Sequence, residues 1–265
     1  MAFAVLGTGP RSILFLPGGP GSEISRGLMA EMERRHARAY LERGYAVWTV
    51  TRRRHMEPGT TVADMAADHA SFIREVMGGQ ADVVVGQSYG GLVALFLAAD
   101  HPEVVGRVVL AGAAAKISEW GRDVDIRWAE LRAAGRHSRA GVAMMEVMLP
   151  GSRWELLRRI VGPVAGAAFR RSRTPAGDLL VEADAERGFD GRAVLGRITA
   201  PVLLVCGDAD RFFPPDAVRE TAGGINDCTT VTYPGLGHVR TLSGSRLQRD
   251  VLTWLEAATP HPSVP

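Results

Sequence analysis

Val83-Val84-Val85-Gly86-Gln87-Ser88-Tyr89-Gly90-Gly91-Leu92-Val93-Ala94-Leu95-Phe96 divides into three parts. The valine run reads as a buried strand, and the run from Leu92 onward reads as a buried helix. Between them stands Gly86-Gln87-Ser88-Tyr89-Gly90, a G-x-S-x-G turn. A strand that turns straight into a helix brings its own backbone against positions 86 and 90, where any Cβ would collide. The serine at the apex is expected in a strained conformation, its hydroxyl above the sheet and near the positive N-terminus of the following helix. A plain glycine-rich turn with a surface serine is the bland alternative, and the flanking strand and helix argue against it.

Working outward, Phe3–Leu6 and Ser12–Leu16 read as strands, the second running into Pro17-Gly18-Gly19-Pro20-Gly21. An amphipathic helix is expected from Gly27 to about Gly44, then a strand over Tyr45–Val50. Thr61 is a candidate N-cap for a helix reaching about Met77, with Asp64 in its first turns. After the serine turn and its helix, Val104–Leu110 is a further strand. From about Lys116 to Arg192 only helical patterns occur: Asp123–Ala134, Ala140–Met148, Ser152–Phe169 with a break at Gly162-Pro163, and Gly177–Glu186. Strands return at Pro201–Cys206 and Thr229–Tyr233, with helices from about Pro215 and to Ala257, and the tail Thr259-Pro260-His261-Pro262 is expected to be poorly ordered. Such alternation makes an α/β fold, a mostly parallel sheet with helices on both faces. Residues 1–115 and 194–265 form its core, and 116–193 an inserted helical cap.

A chain of 265 residues has room for one large α/β domain or two small ones. The formal net charge of +2 suggests neither a nucleic-acid nor a membrane partner. Lys116 is the only lysine among 31 basic residues. Cys206 and Cys228 make neither a disulfide framework nor a metal-ligand spacing, and no metal or cofactor is expected. Without a secretory signal or an apolar stretch of membrane-spanning length, the expectation is a soluble cytoplasmic protein, monomer or homodimer, acting on a small molecule.

A serine hydroxyl needs a base, and the base an orienting carboxylate. Of seven histidines, His238 follows the last strand in the glycine-loosened Pro234-Gly235-Leu236-Gly237-His238; His55 is its one serious rival. The acid is expected on the tip Gly207-Asp208-Ala209-Asp210, with Asp210 preferred because the loop has more room to turn it inward, and Asp208 as runner-up. Two backbone N–H groups must aim at one point to hold an oxyanion, and Tyr89 and Gly19 are the candidates.

Over nearly its full length the chain resembles the α/β-hydrolase superfamily. The resemblance rests on the Ser88 turn, the Gly207-x-x-Asp210-x-x-x-Pro214 loop, the Gly237-His238 pair and the order Ser…Asp…His. It implies Ser88 as nucleophile, Asp210 as acid, His238 as base, and Gly19 and Tyr89 as oxyanion donors. Pro17 stands where the family usually has histidine, and Gly18-Gly19-Pro20-Gly21 is similar to proline iminopeptidases.

The expected function is serine hydrolysis of a small, largely apolar ester or lactone through an acyl-enzyme. The alternatives are another reaction on the same triad (an aminopeptidase, a carbon–carbon bond hydrolase or a lyase) or a non-catalytic ligand receptor. An iminopeptidase would need a carboxylate pocket for the substrate amine, and Glu119, Glu130, Glu146 and Glu155 show no convergence in the sequence. The insertion is expected over Ser88, its apolar side chains favouring apolar substrates over charged ones. Trp120, Trp128, Met144, Met145 and Met148 are the candidate pocket residues, although packing within the insertion is the commoner role for such side chains. Arg52, Arg53 and Arg54 read as a solvated charge run rather than a carboxylate site.

Overall fold

In the computed structural model, residues 1–257 are described, and the expectation for the tail lies outside them. Seven strands form one sheet: β1 (Phe3–Leu6), β2 (Arg11–Leu16), β3 (Tyr45–Val50), β4 (Ala81–Gln87), β5 (Val105–Ala111), β6 (Val202–Gly207) and β7 (Cys228–Tyr233). Their order is β1-β3-β2-β4-β5-β6-β7, with β1 antiparallel to β3 and every other pair parallel. Six parallel strands put six C-terminal tips on one edge, and the loops leaving that edge carry the candidate residues.

The helices are α1 (Leu28–Leu41), α2 (Val62–Val76), α3 (Tyr89–Asp100), α4 (Glu119–Ala133), α5 (His137–Met148), α6 (Glu155–Gly166), α7 (Ala176–Arg187), α8 (Pro215–Gly224), α9 (His238–Leu242) and α10 (Ser245–Ala257). Strand alternation sorts the core into two layers. Ile13, Val83, Val85, Val109 and Val205 pack with Ala37 of α1 and Leu247 and Val251 of α10. Leu14, Val84, Leu110 and Leu204 pack with Met65 of α2, Leu92 and Leu95 of α3 and Val218 of α8. Thr61 caps α2 through a full capping box with Asp64, as its position suggests. Among the described residues no helix is long and apolar enough to cross a membrane.

Two local readings need correction. No break occurs at Gly162-Pro163, because α6 runs through both. Gly141, Gly162 and Gly166 bring α5 and α6 into backbone contact, where a Cβ on Gly141 would lie 1.9 Å from the Gly162 carbonyl oxygen. That packing holds the helix against the proline. At the serine turn, a Cβ on Gly86 would lie 2.5 Å from the Gly90 oxygen, as the turn geometry predicts. Gly90, however, is pressed by the neighbouring strand β2, with Leu16 O 2.1 Å from the same imaginary atom. The turn is therefore locked into the sheet. Gly90→Ala is expected to cost about 3 kcal/mol or more, read as a lower denaturant midpoint at unchanged m-value.

Candidate active site

Ser88 closes β4 and opens α3 with φ 50°, one of two non-glycine residues with positive φ among those described. Its N–H donates to Ala111 O at 2.9 Å, which pins the strained residue to the tip of β5. His238 opens α9, and its Nε2 lies 2.9 Å from Ser88 Oγ. Its Nδ1 lies 2.8 Å from Asp210 Oδ2, so the imidazole bridges hydroxyl and carboxylate. The other Asp210 oxygen accepts the N–H groups of Phe212 at 2.8 Å and Phe213 at 3.3 Å. Ser88, Asp210 and His238 are 8%, 2% and 9% exposed, so the chain is sheltered but reachable.

Local hydrogen bonding, rather than room in the loop, brings Asp210 and not Asp208 to the imidazole. Asp210 is buried and held by the turn it accepts from, whereas exposed Asp208 accepts the Gly235 N–H at 2.6 Å and so braces the histidine loop from outside. Gly207 lets that loop approach, since a Cβ there would lie 2.0 Å from Leu236 O. The rival His55 is exposed, with φ 57°, its N–H donating to Asp178 at 3.1 Å.

Gly18 lies against Ser88, where a Cβ would stand 3.0 Å from the serine Cβ. Gly19 follows with φ 67°, which glycine tolerates. The N–H groups of Gly19 and Tyr89 have no acceptor among the described residues. The loop carrying Gly19 is held by Arg52, which corrects the reading of residues 52–54 as a solvated run. Arg52 is 2% exposed; it donates from Nη1 to Pro17 O at 3.2 Å and from Nη2 to Gly19 O at 2.5 Å. Its Nε and Nη2 reach Glu182 of α7 at 2.8 and 3.1 Å, and Glu182 also accepts the Gly21 N–H. The guanidinium stacks 4.4 Å from the Tyr89 ring, whose hydroxyl donates to Glu182 O at 2.9 Å. Burial opposes the charge on Arg52, yet the Glu182 carboxylate keeps its pKa above the ordinary value. Arg53 follows the expectation more closely, pairing at the surface with Asp68. Arg54 is half-buried and bonded to Ser22 O.

The helices between β5 and β6 reach the site through α4. Gly121, Asp125, Trp128 and Arg132 share one face of that helix by their spacing. A Cβ on Gly121 would lie 2.7 Å from the Phe212 ring, which stacks 4.6 Å from the His238 ring. The Trp128 ring lies 3.1 Å from where a Cβ on Gly19 would stand, and Arg132 Nη1 donates to Pro20 O at 2.5 Å. Of the candidate pocket residues, Trp128 therefore covers Gly19. Trp120 packs on Phe212 at 5.3 Å, with Arg211 4.0 Å over its ring, and so backs the aspartate loop. Met148 is 51% exposed, where α5 carries its end out to solvent. Met144 and Met145 are half-buried on the same helix.

The acids under α4 escaped the sequence reading. Glu119, Glu130 and Glu155 are exposed and Glu146 is tied to Arg127, whereas Asp125, Glu182 and Glu186 are buried. The missed signal is periodic, since Asp178, Glu182 and Glu186 recur every fourth residue on the buried face of α7. Burial pushes the Asp125 carboxyl up to about 7 against the pull of His238 and Arg52. Burial and then the Asp125 charge hold Glu186 well above the ordinary carboxylate range.

Two outcomes follow for stability. Arg52→Met leaves Glu182 buried and unpaired and is expected to cost about 3–5 kcal/mol in denaturant unfolding, with the Arg52→Met/Glu182→Leu double variant recovering most of it. For Asp125, the value rises from 3.8 unfolded to about 7 folded. The folded protein thus keeps a proton that the unfolded chain releases, and stability falls as pH climbs through that window. Asp125→Asn is therefore expected to raise Tm at pH 8 and leave it nearly unchanged at pH 4, each kcal/mol of relief moving Tm by about 2–4 °C.

Residues 13–248 match the alpha/beta hydrolase family. "Putative carbamate hydrolase RutD" of Variovorax paradoxus strain S110 is 32% identical over 214 residues, 79% of this chain and 78% of the relative. "Pimeloyl-[acyl-carrier protein] methyl ester esterase" of Chromobacterium violaceum is 28% identical over 200 residues, 69% of each chain. The solved structure of MGS-M2, an alpha/beta hydrolase enzyme from a Medee basin deep-sea metagenome, superposes with TM-score 0.74 at 17% identity, covering 100% of this chain and 96% of that one. A parallel sheet with a strained serine between β4 and α3, together with these matches, makes the chain an enzyme of the α/β-hydrolase family.

Proposed function

We propose that the chain is a serine hydrolase that cleaves a small ester or lactone through an acyl-enzyme on Ser88. The observation that carries this reading is the hydrogen-bonded chain Ser88 Oγ–His238 Nε2 at 2.9 Å and His238 Nδ1–Asp210 Oδ2 at 2.8 Å. Ser88 Oγ attacks the carbonyl carbon as its proton passes to His238 Nε2. Asp210 accepts the Nδ1–H, which keeps the correct tautomer and stabilises the imidazolium. The oxyanion takes the N–H groups of Tyr89 and Gly19, both without another acceptor among the described residues. His238 then protonates the leaving alkoxide and later deprotonates the water that frees the acid.

The printed names of the two curated relatives, a carbamate hydrolase and a methyl ester esterase, support hydrolysis at a carboxyl-level carbonyl. The low exposure of Ser88 and the Trp128 ring over Gly19 favour a small substrate. Residues 116–193 act as a cap that excludes water and sets specificity while Ser88 does the chemistry.

A fluorophosphonate is expected to label wild-type protein on Ser88 and leave Ser88→Ala unlabelled. On whichever p-nitrophenyl ester or lactone is turned over, Ser88→Ala loses several orders of magnitude in kcat. Asp210→Asn loses far more activity than Asp208→Asn, because only Asp210 bonds the imidazole. Retention of more than a few per cent of activity in Ser88→Ala would refute the assignment.

A further inference from the structure

The α4 face described above spans the site. Gly121 sits at Phe212 beside His238, and Trp128 sits at Gly19. Asp125 lies between them on the same face, near enough to His238 for the imidazole to pull its pKa down against burial. It is 6% exposed and makes no hydrogen bond or ion pair among the described residues. Beside it, Glu186 is 2% exposed and its Oε2 has no partner. Two acids so placed cost stability, and unpaired buried carboxyls are retained against that cost where a ligand completes them.

The neighbouring charges do not complete them. Arg52 is bound to Glu182 and to the carbonyls of Pro17 and Gly19. Arg122, three residues before Asp125, makes no ion pair with either acid, and its buried Nε is itself unpartnered. His238 already bridges Ser88 and Asp210. The missing group is therefore a donor brought from outside. It must be compact enough to fit beneath α4 and be attached near the carbonyl that Ser88 attacks.

We propose that Asp125, backed by Glu186, binds a protonated amino group carried next to the scissile carbonyl, so that the preferred substrates are amino-substituted acyl compounds rather than plain alkyl esters. This rests on Ser88 being the nucleophile and adds the substrate class. An ammonium supplies several donors and a positive charge, which meets the Asp125 carboxyl and the unpartnered Glu186 Oε2 and ionises the pair. Apolar rings also lie along this face, Phe169 against Trp128 and Phe212 against Gly121.

The test compares isosteric pairs in which NH₃⁺ replaces CH₃. Protection of Ser88 from fluorophosphonate labelling is measured with alaninamide against isobutyramide, and hydrolysis with alanine ethyl ester against ethyl isobutyrate. Wild-type protein is expected to favour the amino member by roughly tenfold or more in protection and in kcat/KM, since each tenfold is about 1.4 kcal/mol and one charged hydrogen bond is worth that much. Asp125→Asn and Glu186→Gln, assayed separately, bring the ratio towards one. Equal protection by both amides in wild type, a preference for the alkyl member, or a ratio that survives Asp125→Asn would overturn the proposal. Failure of the underlying reading looks different, because the probe would then leave Ser88 unlabelled or an ester would be hydrolysed by Ser88→Ala.

Discussion

The site hangs on a buried ion pair. Arg52, just after β3, and Glu182, on α7, are 2% and 0% exposed, and between them they hold the Pro17–Gly21 loop and the Tyr89 ring. Arg52 holds the carbonyls of Pro17 and Gly19, while Glu182 takes the Gly21 N–H. Burying such a pair is costly, and it persists where the geometry satisfies the remaining donors. Here Nε, Nη1 and Nη2 of Arg52 all find oxygens. In return, a loop with left-handed glycines at 19 and 21, flexible by composition, is fixed from below. The same pair fastens α7 to the segment that follows β3.

The second constraint is the parallel sheet. Ser88, Asp210 and His238 leave β4, β6 and β7, whose tips share one edge. Each side chain is then aimed by a local device. A strained φ lifts Ser88, a turn closed on its own carboxylate fixes Asp210, and the start of α9 directs His238. None of the three needs a long side chain to reach the others, and hence all can stay nearly buried while remaining hydrogen-bonded.

The site also depends on residues that do not look chemical in the sequence. Arg52 stands in a run of three arginines whose ordinary reading is a solvated face, and only Arg53 behaves that way by pairing with Asp68 at the surface. Asp125 sits in a helix of mixed polarity, and its neighbours Asp123 and Arg127 are exposed. It is buried on the face of α4 whose Gly121 and Trp128 meet the distant loops at Phe212 and Gly19. Met148 makes the opposite point, an apolar residue carried out to solvent at a helix end.

By itself the sequence determined what local chemistry dictates. The Ser88 turn, the strand–helix alternation, the Thr61 cap and the glycine-loosened His238 loop are written in residues close together in the chain. Those signals were enough for the fold class and the family. The tertiary structure decided what depends on residues far apart in the chain. Asp210 rather than Asp208 faces the imidazole because of hydrogen bonds formed after the loops meet. Arg52 becomes an anchor because Glu182, 130 residues later, is packed against it. Asp125 is buried on a face of α4 that meets two loops far apart in the chain, at Gly19 and at Phe212, a relation that no spacing within the chain encodes.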